Sequence, residues 1–150
     1  MRVALVQLNP VVGAVEQNTE RILRELQAAR DAGAELAVFP EQAILGYPAK
    51  DLLLRRDVIE RNLQALQRIA AETQDIAALV GYAEPNDGPV GRPLFNSGAL
   101  LAGGRVQANW RKRLLPIYDV FDEVRYFESG GAQPVAEFGG RRIGVTICED

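Results

Sequence analysis

Three short apolar runs, "RVALVQL", "ELAVFP" and "IAALVGYA", are separated in this chain by two long stretches of helical period. No other feature narrows the fold as far. Buried strands that alternate with amphipathic helices make a sheet with helices laid on it. In "VEQNTERILRELQAARDAGA", Ile22, Leu26, Ala29 and Gly33 fall on one helical face, with Gly33 placed to end the helix. The second helix is predicted to begin near Asp57. There Asp57 and Glu60 have capping-box spacing, and Ile59, Leu63, Leu66 and Ala70 form an apolar stripe.

After "IAALVGYA" the rhythm changes. "LFNSGALLA", Gly103-Gly104 and "RVQANW" read as a hairpin. A long loop, "RKRLLPIYDVFDEVRYFESGGAQP", leads to "VAEF", Gly139-Gly140 and a terminal strand, "RRIGVTIC". The predicted class is therefore α/β with a mixed sheet. A chain of 150 residues suits one domain and can bury roughly two-thirds of its unfolded surface. Helices on one face of a sheet leave the other apolar face in need of a further layer. The final strand stops where a helix should follow. The chain is thus expected to be the front part of a longer polypeptide.

Composition removes several function classes. A net charge of −3 gives no basic surface for nucleic acid or an anionic membrane. No apolar run reaches the roughly 18 residues of a membrane span. The single cysteine allows no disulfide framework, which points to a reducing cytoplasm. With no histidine beside it, a zinc site is not expected.

That cysteine, Cys148, closes the last apolar run. A reactive thiol without a histidine needs a carboxylate as base and a lysine or arginine as cation. Open α/β sheets gather such groups at the carboxyl ends of strands. Glu41 follows the second run, Lys112 follows the hairpin, and Cys148 ends the terminal strand. Spacing alone leaves bland readings open: a packing cysteine, a solvated loop glutamate and a solvated cationic turn.

"FPEQAILGYP", "WRKRLLPIYDVFDEVRYF" and "GVTICED" resemble, in order, the three signature blocks of the nitrilase, or carbon-nitrogen hydrolase, superfamily. The resemblance implies the N-terminal part of an αββα sandwich with mixed sheets. It also implies a Glu-Lys-Cys triad: Glu41 as general base, Lys112 as the cation for thiolate and oxyanion, and Cys148 as nucleophile. Glu123 matches a second glutamate that lines the same site. "GYPAKDLLLR" and "LLPIYDVFDEVRYF" further resemble the N-terminal glutaminase domain of glutamine-dependent NAD synthetases. On that likeness Tyr118 and Phe121 line the glutamine pocket, and the backbone N–H of Glu149 joins Lys112 at the oxyanion. One departure is Ser129, where many members carry proline.

The likeness also sets expectations for partners. Glutamine is the substrate, and the rest of the polypeptide carries a synthetase domain that uses ATP, magnesium and deamido-NAD. The full-length protein is a homo-oligomer, and residues 1–150 alone are inactive. Within this chain "ESGGAQP" has Gln133 and Pro134 where an ATP-pyrophosphatase loop requires Asp and Ser, so no cofactor or metal site is expected here. Two other readings remain open: an amidase or carbamoylase with a different substrate, and a non-catalytic α/β ligand-binding fragment.

Overall fold

The computed structural model describes all of residues 1–150. Five strands form one mixed sheet in the order β1 (Val3–Leu5), β2 (Leu36–Val38), β3 (Ala77–Pro85), β4 (Leu94–Ala102) and β5 (Arg105–Arg111). The first three run parallel; β3, β4 and β5 are antiparallel neighbours. Helices α1 (Val15–Asp31) and α2 (Arg56–Ala71) connect the parallel strands. Ile22, Leu26, Leu66 and Ile69 belong to one buried cluster with Ala78, Val80, Ala99 and Leu101 of the sheet. No helix is long and apolar enough to cross a membrane.

The opposite face of the sheet carries Leu36, Ala77, Leu100 and Trp110. Against it packs a two-stranded antiparallel unit, β6 (Ala136–Phe138) and β7 (Arg141–Ile143), through Ala136, Phe138 and Ile143. The indole of Trp110 donates to the Pro134 carbonyl at 2.8 Å, fixing the approach to that unit. The layers are therefore helices, a five-stranded sheet and a small second sheet. This is the α/β architecture expected, read from the N-terminal side of an αββα sandwich.

Three local expectations are corrected. The sequence pattern predicts a buried first strand, yet β1 is an edge strand of three residues. Its Ala4 lies against the helical core, while Val3 and Leu5 are exposed. The second helix starts at Arg56, within one residue of its expected start, but Asp57 makes no capping bond. Its carboxylate accepts from the guanidinium of Arg55 instead, and Glu60 accepts from Arg56. The fully buried face of α2 runs through Val58, Asn62, Ala65, Leu66, Ile69 and Ala70, leaving Ile59 and Leu63 half-buried at its margin. Finally, the terminal strand spans only Arg141–Ile143, and Cys148 sits in a turn beyond it. Residues 144–147 have no ladder partner, so nothing holds them as a strand.

Candidate active site

Glu41 reaches the site on a turn that follows β2. Phe39 N–H continues the parallel ladder by donating to Leu79 at 2.9 Å, and the chain then folds over β3. The fold-over requires Gly81. A Cβ there would lie 2.5 Å from both the Gln42 nitrogen and the Pro40 carbonyl oxygen. Gln42, next to the glutamate, adopts the left-handed conformation at φ 50°. Such a backbone is strained for a non-glycine residue and persists where packing holds it.

Lys112 comes from the β4–β5 ladder. Its N–H donates to the Asn96 carbonyl at 2.8 Å, one step past the last registered pair. A second close approach secures it. The N–H of Gly130 donates to the Lys112 carbonyl at 2.8 Å, and a Cβ on Gly130 would sit 2.2 Å from the Arg111 oxygen. Nearby, the Ser129 hydroxyl donates to the Arg113 carbonyl at 2.7 Å, tying the loop to the lysine segment.

The Lys112 side chain is wholly buried. Its Nζ donates to Glu41 Oε1 and to Glu123 Oε1, each at 2.8 Å. Glu123, on a short 3-10 turn at Glu123–Arg125, is 3% exposed and also accepts from the Tyr47 hydroxyl at 2.8 Å. Asn96 Nδ2 donates to Glu41 Oε1 at 2.6 Å and to Glu123 Oε2 at 3.4 Å. Burial works against the Lys112 ammonium, but its bonds to Glu123 and Glu41 outweigh that cost and hold its pKa above the usual lysine value. An ammonium has three N–H donors, and two are engaged here.

Cys148 closes the cluster. It is exposed, lies at φ 50°, and shares with Glu41, Gly81, Gly98 and Ile147 a cleft of about 130 Å³. Desolvation and then the charge of Glu41 push its pKa above the ordinary thiol value; Lys112 offsets this only in part. The nearness of the Glu41 carboxylate thus favours the neutral thiol. Asp150 fixes the turn against the lysine segment. Its Oδ1 accepts the N–H groups of Arg113 and Leu114, both at 2.9 Å, and its Oδ2 accepts that of Ile147 at 3.2 Å.

The four remaining residues singled out from sequence divide. Glu123 is inside the cluster. Tyr118, Phe121 and Glu149 form a patch beside it: the Tyr118 hydroxyl donates to Glu149 at 2.9 Å, and the Tyr118 and Phe121 rings meet edge-on at 5.3 Å. Phe121 also approaches Tyr47 at 6.0 Å. Phe121, Tyr47 and Glu123 line a larger cavity of about 540 Å³. Asn96, Gln42, Tyr47 and Asp150 were not singled out from sequence. The one available signal was a polar Asn96-Ser97 pair inside the otherwise apolar strand "LFNSGALLA".

A buried ammonium shared by two carboxylates, beside a neutral thiol, suits a nucleophile deprotonated on attack rather than a standing thiolate. The family model described as carbon-nitrogen hydrolase matches residues 2–150. A glutamine-dependent NAD(+) synthetase of Xanthomonas campestris pv. campestris is 46% identical over 153 residues, covering 100% of this chain and 27% of the relative. The structure of a glutamine-dependent NAD+ synthetase from Acinetobacter baumannii in complex with ADP superposes with TM-score 0.91 at 38% identity, over 99% of this chain and 27% of that one. An amidase from Nesterenkonia sp. AN1 in complex with acrylamide shares the fold, with TM-score 0.83 at 22% identity over 99% of this chain and 56% of its own. The chain thus spans about a quarter of the length of the synthetases it matches.

Proposed function

We propose, from the premise that the chain belongs to the carbon-nitrogen hydrolase family, that it forms the glutamine-hydrolysing part of a glutamine-dependent NAD synthetase. The observation that carries this reading is Lys112, bonded at 2.8 Å to both Glu41 and Glu123, with Glu41 lining one cleft with Cys148. Support for glutamine comes from the synthetase relatives, which align over the whole chain.

In the mechanism, Glu41 takes the thiol proton as Cys148 Sγ attacks the side-chain carboxamide carbon of glutamine. The raised pKa of the thiol makes this transfer part of the attack. Negative charge moves onto the carboxamide oxygen. The third N–H of Lys112 and the backbone N–H of Glu149 stabilise it. Glu41 returns its proton to the nitrogen, the C–N bond breaks, and ammonia leaves a glutamyl thioester. Glu41 then deprotonates a water that attacks the thioester carbon, releasing glutamate and restoring the thiol. Glu123 keeps Lys112 protonated, and Tyr118 and Phe121 form the wall of the glutamine pocket.

Ammonia is consumed elsewhere in the intact polypeptide, a homo-oligomer of the cytoplasm, where deamido-NAD is amidated at the expense of ATP with magnesium. The "ESGGAQP" segment does not fit a nucleotide. The Gly130 N–H is committed to Lys112, and the Ser129 hydroxyl to Arg113. The test is Cys148→Ala in the intact polypeptide. It should abolish synthesis from glutamine and leave synthesis from added ammonia. Equal loss with both donors would overturn the division of labour, and wild-type preference for another amide or a carbamoyl compound over glutamine would overturn the substrate.

A further inference from the structure

Asn96 and Gln42 are both buried, at 0% and 1% exposure, and both belong to the shell around Glu41. The hydrogen bonds between them run in one direction. Gln42 Nε2 donates to the Tyr82 carbonyl at 3.1 Å and to Asn96 Oδ1 at 2.7 Å. Asn96 Nδ2 then donates to Glu41 at 2.6 Å and to Glu123 at 3.4 Å. Ionised carboxylates only accept, so the Asn96 nitrogen must face them and its oxygen must face Gln42. Gln42 therefore turns its nitrogen inward, and its own Oε1 is left buried without a partner. A buried polar atom without a partner is destabilising, so its presence calls for an explanation. Turning the Gln42 amide would satisfy nothing better: its oxygen would then meet two acceptors.

Asn96 also holds two consecutive residues, taking the Glu41 carboxylate with one end of its amide and the Gln42 side chain with the other. It closes a ring around the strained turn at Gln42, φ 50°. With Lys112 on the same Glu41 oxygen, Oε1 carries both donors. We propose that Asn96, backed by Gln42, is a positioning residue that clamps Glu41 through Oε1 and reserves Oε2 for the Cys148 proton. The inference rests on Glu41 being the base.

Asn96→Leu in the intact polypeptide should lower kcat on glutamine about 10- to 100-fold with KM within about 3-fold, because the base is displaced while the pocket is untouched. Asn96→Asp, although the same size, should be at least as damaging, because it sets a third carboxylate against Glu41 and Glu123. Gln42→Met removes the partnerless oxygen along with the donor. It should fold normally and lower kcat in the same direction by a smaller amount, again with KM within about 3-fold.

Iodoacetamide alkylation of Cys148 at neutral pH reads the placement of the base without glutamine, so it separates this inference from the choice of substrate. In all three folded variants alkylation should be slower than in wild type, in the same order as the losses in kcat. An unchanged kcat and alkylation rate in Gln42→Met, or an Asn96→Asp milder than Asn96→Leu, would overturn the proposal. Wild-type enzyme that ignores glutamine but shows the alkylation loss in the variants would refute the substrate and leave the clamp standing.

Discussion

Asn96 and Ser97 are neighbours in β4, and alternation along the strand sends them to opposite faces of the sheet. Each arrives at a carboxylate. Ser97 donates at 2.6 Å to Glu84, which also accepts from Asn109 at 2.6 Å and from the guanidinium of Arg111. Asn96 arrives at Glu41 and Glu123, which share the single ammonium of Lys112. The first cluster is neutral: one carboxylate, one guanidinium and two neutral donors. The second carries one negative charge in excess, with a thiol beside it. At Glu84, burial alone would raise the pKa, but the bonds from Arg111, Ser97 and Asn109 win and lower it. At Cys148 the surplus charge of Glu41 and Glu123 adds to desolvation and raises it. Donor supply thus separates a carboxylate that holds strands together from one able to take a proton.

The largest effect should come from exchanging the two carboxylates for amides. Glu41→Gln removes the base and should lower turnover of glutamine by about 10²- to 10⁴-fold. It also removes the nearest negative charge from Cys148, so the pH midpoint for iodoacetamide alkylation should fall. Glu84→Gln should leave turnover within about 3-fold and act on stability instead, since it keeps the shape while losing the charge that Arg111 neutralises. A loss of turnover in Glu84→Gln as large as in Glu41→Gln would erase the distinction.

A smaller effect concerns acid. Glu84 has a lowered pKa in the folded chain, so the unfolded chain takes up its proton first as pH falls. The stability Glu84 contributes is present above the ordinary carboxylate range and is lost as pH falls through its folded value. Urea denaturation of wild type and Glu84→Gln should therefore converge as pH drops below about 4. Curves that stay parallel down to that pH would show that Glu84 contributes nothing through its charge.

The sequence disclosed the two clusters unequally. Strands β3 and β4 were legible because they are long, mostly apolar runs, and β5 because Gly103-Gly104 marks the turn of a hairpin with β4. Glu41, Lys112 and Cys148 stood out through three family blocks; spacing alone could not have separated them from solvated charges. Edge geometry was hidden, because nothing in "RVALVQL" says that one face of β1 lacks a cover. The end of the terminal strand was hidden too. Val145 and Ile147 are apolar because they pack, Val145 against the Trp110 face and Ile147 in the Cys148 cleft, although neither is in a ladder. Asn96, Gln42 and Ser97 were missed for another reason. A buried polar side chain has a role only through its partners, and those partners lie up to 55 residues away in sequence.

Ser97→Ala should have the smallest effect and gives the finest test of the comparison. The hydroxyl is one of several donors to Glu84, and its loss leaves the arginine and Asn109 in place. The carboxylate is therefore not orphaned, and the cost should be near that of one ordinary hydrogen bond, about 1 kcal/mol. Ser97 also borders the Cys148 cleft, but its hydroxyl is committed to Glu84 on the other face of the strand, so turnover of glutamine should stay within about 3-fold. Urea denaturation and glutamate release measured on one preparation would separate the two. If Ser97→Ala moved the acid limb of the pH–rate profile, the sheet would be transmitting charge between its faces, and the clusters could not be treated as independent.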